Sequence, residues 1–169
     1  MDAIRTLILG AAAFLLIGKA VATGGPAFTP QVRGLTQQYA RAVGQCQLHA
    51  PSTAVGREAC PRVEAFAKQL RTAGWDPVQA TKQLFDGCNR FGSAYQLAAI
   101  SRDNRQPPES ALKTLKAEKW IRIEEPGLKS IVNTVYFQDW ASRLLPLELA
   151  HAVETDCRYG PDPRWQPLK

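Results

Sequence analysis

Apolar positions along this chain recur at three- and four-residue steps, a spacing that predicts helices through most of its length. The clearest predicted helix runs from Pro61 to Ala73, where Val63, Phe66, Ala67 and Leu70 share a face while Arg62, Glu64, Lys68 and Arg71 point elsewhere. Gly74 follows as a left-handed stop, with Trp75 set to pack back on Leu70. Asp76-Pro77 then reads as an N-cap and a first helical position, where the missing N–H of proline costs nothing. From Pro77 the pattern continues to about Arg102, with Leu84, Cys88, Phe91, Tyr95 and Ala98 in one stripe. Gly87 and Gly92 each weaken this helix by up to about 1 kcal/mol relative to alanine, so they mark close packing or a kink.

The other elements follow from the same spacing. Pro30 to about Gln47 reads as a first helix, with Val32, Leu35, Tyr39 and Val43 in register. After a break from Asn104 to Pro107, Pro108 opens a helix to about Lys119. Leu128, Ile131, Val132 and Val135 predict a helix from Pro126 or Gly127 to about Gln138, with a strand as the alternative because three of the four are β-branched. Pro146 begins a last helix in which Leu149, Val153 and Cys157 align. The expected fold is therefore all-α, a small bundle of about five or six helices forming one domain over residues 23–159, with an extended, proline-bearing tail at 160–169. Phe85, Phe91, Tyr95, Tyr136 and Phe137 are core candidates, whereas Trp140 and Trp165 are expected to be exposed anchors for a partner.

The first residues follow a different pattern. Arg5 precedes an apolar run from Leu7 to Ile17, and Ala20-Val21-Ala22 supplies the small-x-small pattern that signal peptidase accepts. Residues 1–22 are read as a signal peptide removed after Ala22, because the run falls well short of the roughly 20 residues that span a bilayer. A retained anchor, making the chain a subunit of an inner-membrane complex, is the alternative; contact with the membrane is expected only in that case. The rest suits a folded domain: hydrophobic residues are 45% and aromatic ones 8%, which argues against wholesale disorder and against a multi-span membrane protein. The net charge of +6 becomes +5 once residues 1–22 are removed, so the mature chain stays basic.

Export changes the meaning of the four cysteines, Cys46, Cys60, Cys88 and Cys157. An even number in an exported chain suggests two disulfides, for which three connectivities are open. No C-x-x-C pair is present, so neither a zinc site nor a redox dithiol is expected. Cys46 with Cys60 is favoured because it closes the segment Gln47 to Ala59, read here as irregular; a loop of about 15 residues is worth roughly 3 kcal/mol in the chain-entropy model. Cys88 with Cys157 is favoured because both fall on the inward stripes of their helices.

One set of residues resembles a known group. Cys88-x-x-x-Gly92-x-Ala94, then Arg102-Asp103, then Ile131-Val132 to Val135-Tyr136, then Pro146 and Cys157 are similar in order to small exported (periplasmic) bacterial helical proteins of uncharacterised function. In that group a Cys-bearing helix ends in an Arg-Asp turn, and a later Val-Tyr helix precedes a terminal Cys. The resemblance covers about residues 77–157 and implies a fold and a compartment but no activity. Its pattern places glycine two residues after the aspartate, where this chain has Arg105, so Asn104 is expected to take the left-handed position.

Catalytic chemistry finds little support. Glu148, His151 and Glu154 lie three apart on one predicted helical face, which could bind a metal or move a proton, so a small enzyme built around them is an alternative reading. No second Glu-x-x-His completes a two-metal site, and His49 has no evident partner. A G-x-S-x-G turn, a P-loop and a dinucleotide loop are all missing from the sequence, and no cofactor or metal is expected. Lys113, Lys116 and Lys119 recur at three-residue steps, with Arg102 and Arg105 upstream. Together these five are the candidate surface for an anionic envelope component or an acidic protein, against a plain solvated face. No nucleic-acid-reading motif accompanies them, so nucleic acid is not an expected partner. Arg102-Asp103 is read chiefly as fixing a helix end. The sequence thus points to a non-catalytic exported binding or accessory protein, periplasmic or secreted.

Overall fold

A computed structural model of the chain describes residues 26–49 and 51–160, all of the regular structure there being helical. The signal segment at 1–22 and nearly all of the tail, including Trp165, lie outside the described residues. Among the described residues seven helices follow one another: α1 Pro30–Leu48, α2 Ala54–Thr72, α3 Pro77–Asp103, α4 Pro108–Ala117, α5 Glu125–Phe137, α6 Asp139–Ser142 and α7 Pro146–Tyr159. The segment at 126–138, where a strand was the alternative, is helical up to Phe137.

Helix starts are set by the chemistry of their first residues. Thr29, Thr53 and Asp76 accept backbone N–H bonds from Val32, Gly56 and Gln79 at 3.3, 3.1 and 2.9 Å, satisfying donors that the first turn leaves unpaired. Five of these helices also carry proline in the first or second position. α2 departs from that rule and corrects the expectation of a start at Pro61. Capped by Thr53, it begins at Ala54 and runs through Pro61, which surrenders one backbone hydrogen bond inside the helix. The described residues between Cys46 and Cys60 are accordingly mostly helical rather than irregular.

Helix ends follow the same logic. At α2, Gly74 adopts φ 82° and the Trp75 N–H bonds to the Leu70 carbonyl at 2.9 Å, closing a Schellman stop with Trp75 packed on Leu70. α3 ends in the same arrangement, Gln106 N–H to Ser101 O at 2.9 Å, but the left-handed residue is Arg105 with φ 57°. Asn104 keeps φ −79°, so the expectation for that turn is corrected: the geometry requires the positive φ at the residue just before the closing N–H, whatever its type.

α3 is the axis of the fold. Its buried stripe, Ala94, Tyr95, Ala98 and Ala99, packs with Ala111 and Leu115 of α4, with Leu128, Ile131, Val132 and Val135 of α5, and with Leu149 and Val153 of α7. The α1–α2 hairpin joins this core through a smaller cluster of Val32, Leu70 and Ala80, bordered by Phe28 and Trp75. A third cluster surrounds a disulfide between Cys88 and Cys157, and a second disulfide, Cys46–Cys60, ties α1 to α2. Both favoured pairings are therefore present. At Gly92 α3 and α7 approach closely: a Cβ there would overlap Glu154 Cγ and lie 3.0 Å from the Ala150 carbonyl oxygen. It serves close packing.

Two aromatic expectations are corrected. Phe137, taken as a core candidate, is 67% exposed at the end of α5, because the helix terminates with that residue beyond the stripe of Leu128, Ile131 and Val135. Trp140 is half-buried against the main core, since the short helix α6 folds it inward.

Candidate functional site

Arg102, expected to fix a helix end, does so at a distance. Its guanidinium donates to the carbonyl oxygens of Ala141 at 2.9 Å and Leu144 at 3.0 Å, reaches Val135 O at 3.5 Å, and pairs with Asp103 at 2.8 Å. These carbonyls belong to the end of α5, to α6 and to the turn after it, where the regular helical ladder stops and Ala141 O accepts the Arg143 N–H and, at a long 3.3 Å, the Leu144 N–H. The Arg102 side chain is 15% exposed, so it leaves the basic surface to which the sequence assigned it.

The rest of that surface divides. Lys116 bonds Glu125 at 2.7 Å, and Lys129 reaches the same carboxylate at 2.9 Å. The hydrogen bond from Lys116, then that from Lys129, hold the Glu125 carboxyl down at about 2. Lys113, Lys119 and Arg105 are exposed, with no ion pair among the described residues. The hollow beside Lys119 is shared by Glu118, Glu124 and Glu125, so its field is of mixed sign. The acidic triplet on α7 is also divided: Glu148 folds back to accept the Leu145 N–H at 3.1 Å, while Glu154 pairs with Arg158 at 3.0 Å. His151 is left exposed between them.

A concave site of a different character lies elsewhere. A cleft of about 470 Å³ opens over the Cys88–Cys157 disulfide, where the start of α1, the middle of α3, the turn between α4 and α5, and the end of α7 meet. Its floor is apolar and buried: Leu84, Cys88 and Ile121. Phe28, Phe91 and Ile123, each half-buried, form the walls. Three arginines reach it from three separate elements: Arg33 from α1, Arg90 from α3 and Arg122 from the turn. Gln83 adds a neutral amide, and among the described residues no carboxylate lines the cleft.

Each arginine has a local reason for its place. Arg33 lies one residue beyond buried Val32, and its Nη2 donates to Cys157 Sγ at 3.1 Å, which sets the guanidinium over the disulfide. Arg90 follows Cys88 by two positions, and its guanidinium turns back over Gly87, where a Cβ would stand 4.0 Å away. Arg122 sits between buried Ile121 and half-buried Ile123 with φ 51°, a conformation that a non-glycine residue holds only when its neighbours impose it. None of the three has an ion-pair partner among the described residues. Chemically, the cleft offers planar, permanently charged donors above an apolar floor, an arrangement suited to carboxylate or phosphate oxygens.

Sequence reasoning missed this site because its arginines lie far apart, in three different elements, and form no motif. The one local signal was Arg122 in a short segment bounded by Trp120 and Pro126, where a charged residue stands between two isoleucines. Among the described residues there is no group of three or more His, Cys, Asp or Glu side chains able to hold a metal, and no helix is long and apolar enough to cross a membrane. The two disulfides suit an oxidising compartment. No family model matches the chain, and no curated protein or solved structure was found to be similar to it.

Proposed function

We propose that this chain is an exported binding or accessory protein of the bacterial envelope, acting without catalysis on an anionic partner. The observation that carries the reading is the cleft over Cys88–Cys157, where Arg33, Arg90 and Arg122 converge with no carboxylate among the described lining residues to neutralise them. Three like charges held around one hollow repel one another, and an arriving anion relieves that repulsion while gaining charge-assisted hydrogen bonds. Two disulfides and the N-terminal apolar run ending in Ala20-Val21-Ala22 support periplasmic or secreted placement. The order of Cys88, Gly92, Arg102-Asp103 and Cys157 keeps the resemblance to small exported helical proteins as part of the proposal.

Native, non-reducing mass spectrometry of the protein taken from the envelope of its host tests this. The expected species begins at Thr23, carries two disulfides and retains an acidic companion that is lost on unfolding. A chain that keeps Met1 would replace the reading with a membrane-anchored subunit. Recovery of a bare chain that also fails to take up any anion on titration would sink the binding role.

A further inference from the structure

We infer that the cleft over the disulfide takes an amphiphilic anion, a carboxylate or phosphate headgroup carried on an apolar chain. The inference rests on the anion-binding reading above and goes on to define the body of the ligand. Two properties of the cleft, taken together, carry it.

The first is the separation of polarity by depth. The guanidinium-bearing residues Arg33 and Arg122 are exposed at the rim and Arg90 is half-buried, whereas Leu84 and Ile121 beneath them are 3% and 1% exposed. A small hydrated anion would engage the rim and leave the aromatic walls of Phe28 and Phe91 wet, recovering nothing from their burial. A ligand with a chain fills that volume and removes apolar surface from water on both sides, while its headgroup stays at the level of the arginines.

The second is the sign of the field. With three cations and no carboxylate among the described residues lining the cleft, a neutral or cationic amphiphile meets the same apolar floor under an uncompensated positive rim. Selection for the anion therefore comes from the arginines, and selection for the chain comes from the half-buried walls of Phe28, Phe91 and Ile123. A lipid headgroup and a free fatty acid present the same chemistry, and the length of chain that binds separates them.

Isothermal titration calorimetry of the oxidised full chain at low salt tests the inference with four probes: octanoate, octyl phosphate, octanol and inorganic phosphate. The charged octyl probes should bind at least about tenfold tighter than either octanol or inorganic phosphate. Affinity along hexanoate, octanoate and decanoate should rise by up to about fourfold for each methylene buried. With dodecanoate and tetradecanoate added to the series, preference that continues to rise beyond the decyl chain favours a lipid source, whereas a plateau favours a short free acid.

Arg90→Gln and Arg122→Gln should each weaken octanoate about tenfold. Lys119→Gln removes the same charge outside the cleft and should change it less than about twofold; far-ultraviolet circular dichroism confirms that all three variants are folded. Inorganic phosphate binding as tightly as octyl phosphate would overturn the amphiphile while leaving an anion site. Octanol binding as tightly as octanoate would overturn the anion-binding reading with it. Lys119→Gln weakening octanoate as much as Arg122→Gln, or no binding by any probe at millimolar concentration, would overturn the inference outright.

Discussion

Arg102→Met removes the cation that ties α3 to the α5–α6 corner. Its two short bonds, to Ala141 O at 2.9 Å and Leu144 O at 3.0 Å, are charge-assisted, and each such bond contributes about 1.5–3 kcal/mol net. The Asp103 pairing adds little, because that carboxylate is 42% exposed and water replaces its partner. Methionine keeps much of the apolar stem, so packing is largely retained while the two carbonyl oxygens lose their strongest donor. The bonds share one guanidinium and do not add in full, which sets the loss at about 3 kcal/mol. Arg102→Lys keeps the charge but offers one ammonium to two separated acceptors, for a loss of about 1.5 kcal/mol. Urea unfolding of the oxidised chain, followed by circular dichroism and extrapolated linearly, measures both values. A melting temperature lower by about 10 °C should accompany the methionine variant. Hydrogen exchange supplies an independent readout: amides at 139–144 should lose protection before those of α3. If Arg102→Met lies within about 0.5 kcal/mol of the parent, or if lysine substitutes without loss, the guanidinium is not the clamp described here.

Other expectations follow from the same packing. Gly92→Ala puts a Cβ 3.0 Å from the Ala150 carbonyl oxygen, which cannot rotate away as the Glu154 side chain can. The strain should outweigh the gain of up to about 1 kcal/mol in helix propensity and destabilise the fold by about 1–2 kcal/mol, read by urea unfolding; an unchanged or raised midpoint would refute it. Replacing Cys88 and Cys157 together by serine should cost about 4 kcal/mol, against about 3 for Cys46 and Cys60, since their sequence separations are 69 and 14 residues. Equal losses in calorimetry would contradict the ring-size argument. Glu125 has its carboxyl lowered from 4.5 to about 2 by Lys116 and Lys129, so its stabilising contribution is full above about pH 4.5 and is lost as pH falls towards 2. The stability difference between the parent and Glu125→Gln should vanish over that interval and shrink in 1 M salt; a difference that persists at pH 2 would rule out the ion pairs as its source.

Much of the architecture was legible because local signals and the apolar period agreed. Gly74, Trp75, Asp76 and Pro77 specify a stop and a restart within four residues, and each takes the conformation its chemistry favours. The inward phases of Cys88 and Cys157 were enough to pair them. The same reliance on proline misplaced the start of α2, because Thr53 caps the helix well upstream of Pro61 and tertiary pairing with α1 carries it through that proline. The cap at Thr53 is a local signal, whereas the tolerance of Pro61 depends on a partner helix that the period of α2 alone does not reveal. α6, only four residues long, depends on a clamp from Arg102 and has no period of its own. The cleft was the least legible part: Arg33, Arg90 and Arg122 are ordinary surface arginines until folding brings α1, α3 and the α4–α5 turn together. The lysine face, conspicuous in sequence, proved partly neutralised because Glu125 lies next to Lys116 only in space.

The two disulfides join neighbours in chain order, the first cysteine to the second and the third to the fourth. A chain threading N-terminus first into an oxidising compartment would present Cys46 and then, only 14 residues later, its proper mate. That bond can close before Cys88 emerges, so no earlier thiol remains to capture Cys88 during its wait of 69 residues for Cys157. An oxidant that simply couples thiols as they arrive therefore reaches the native connectivity. On that route, assembly of this fold would call for an oxidase but not for an isomerase to reshuffle wrong pairs.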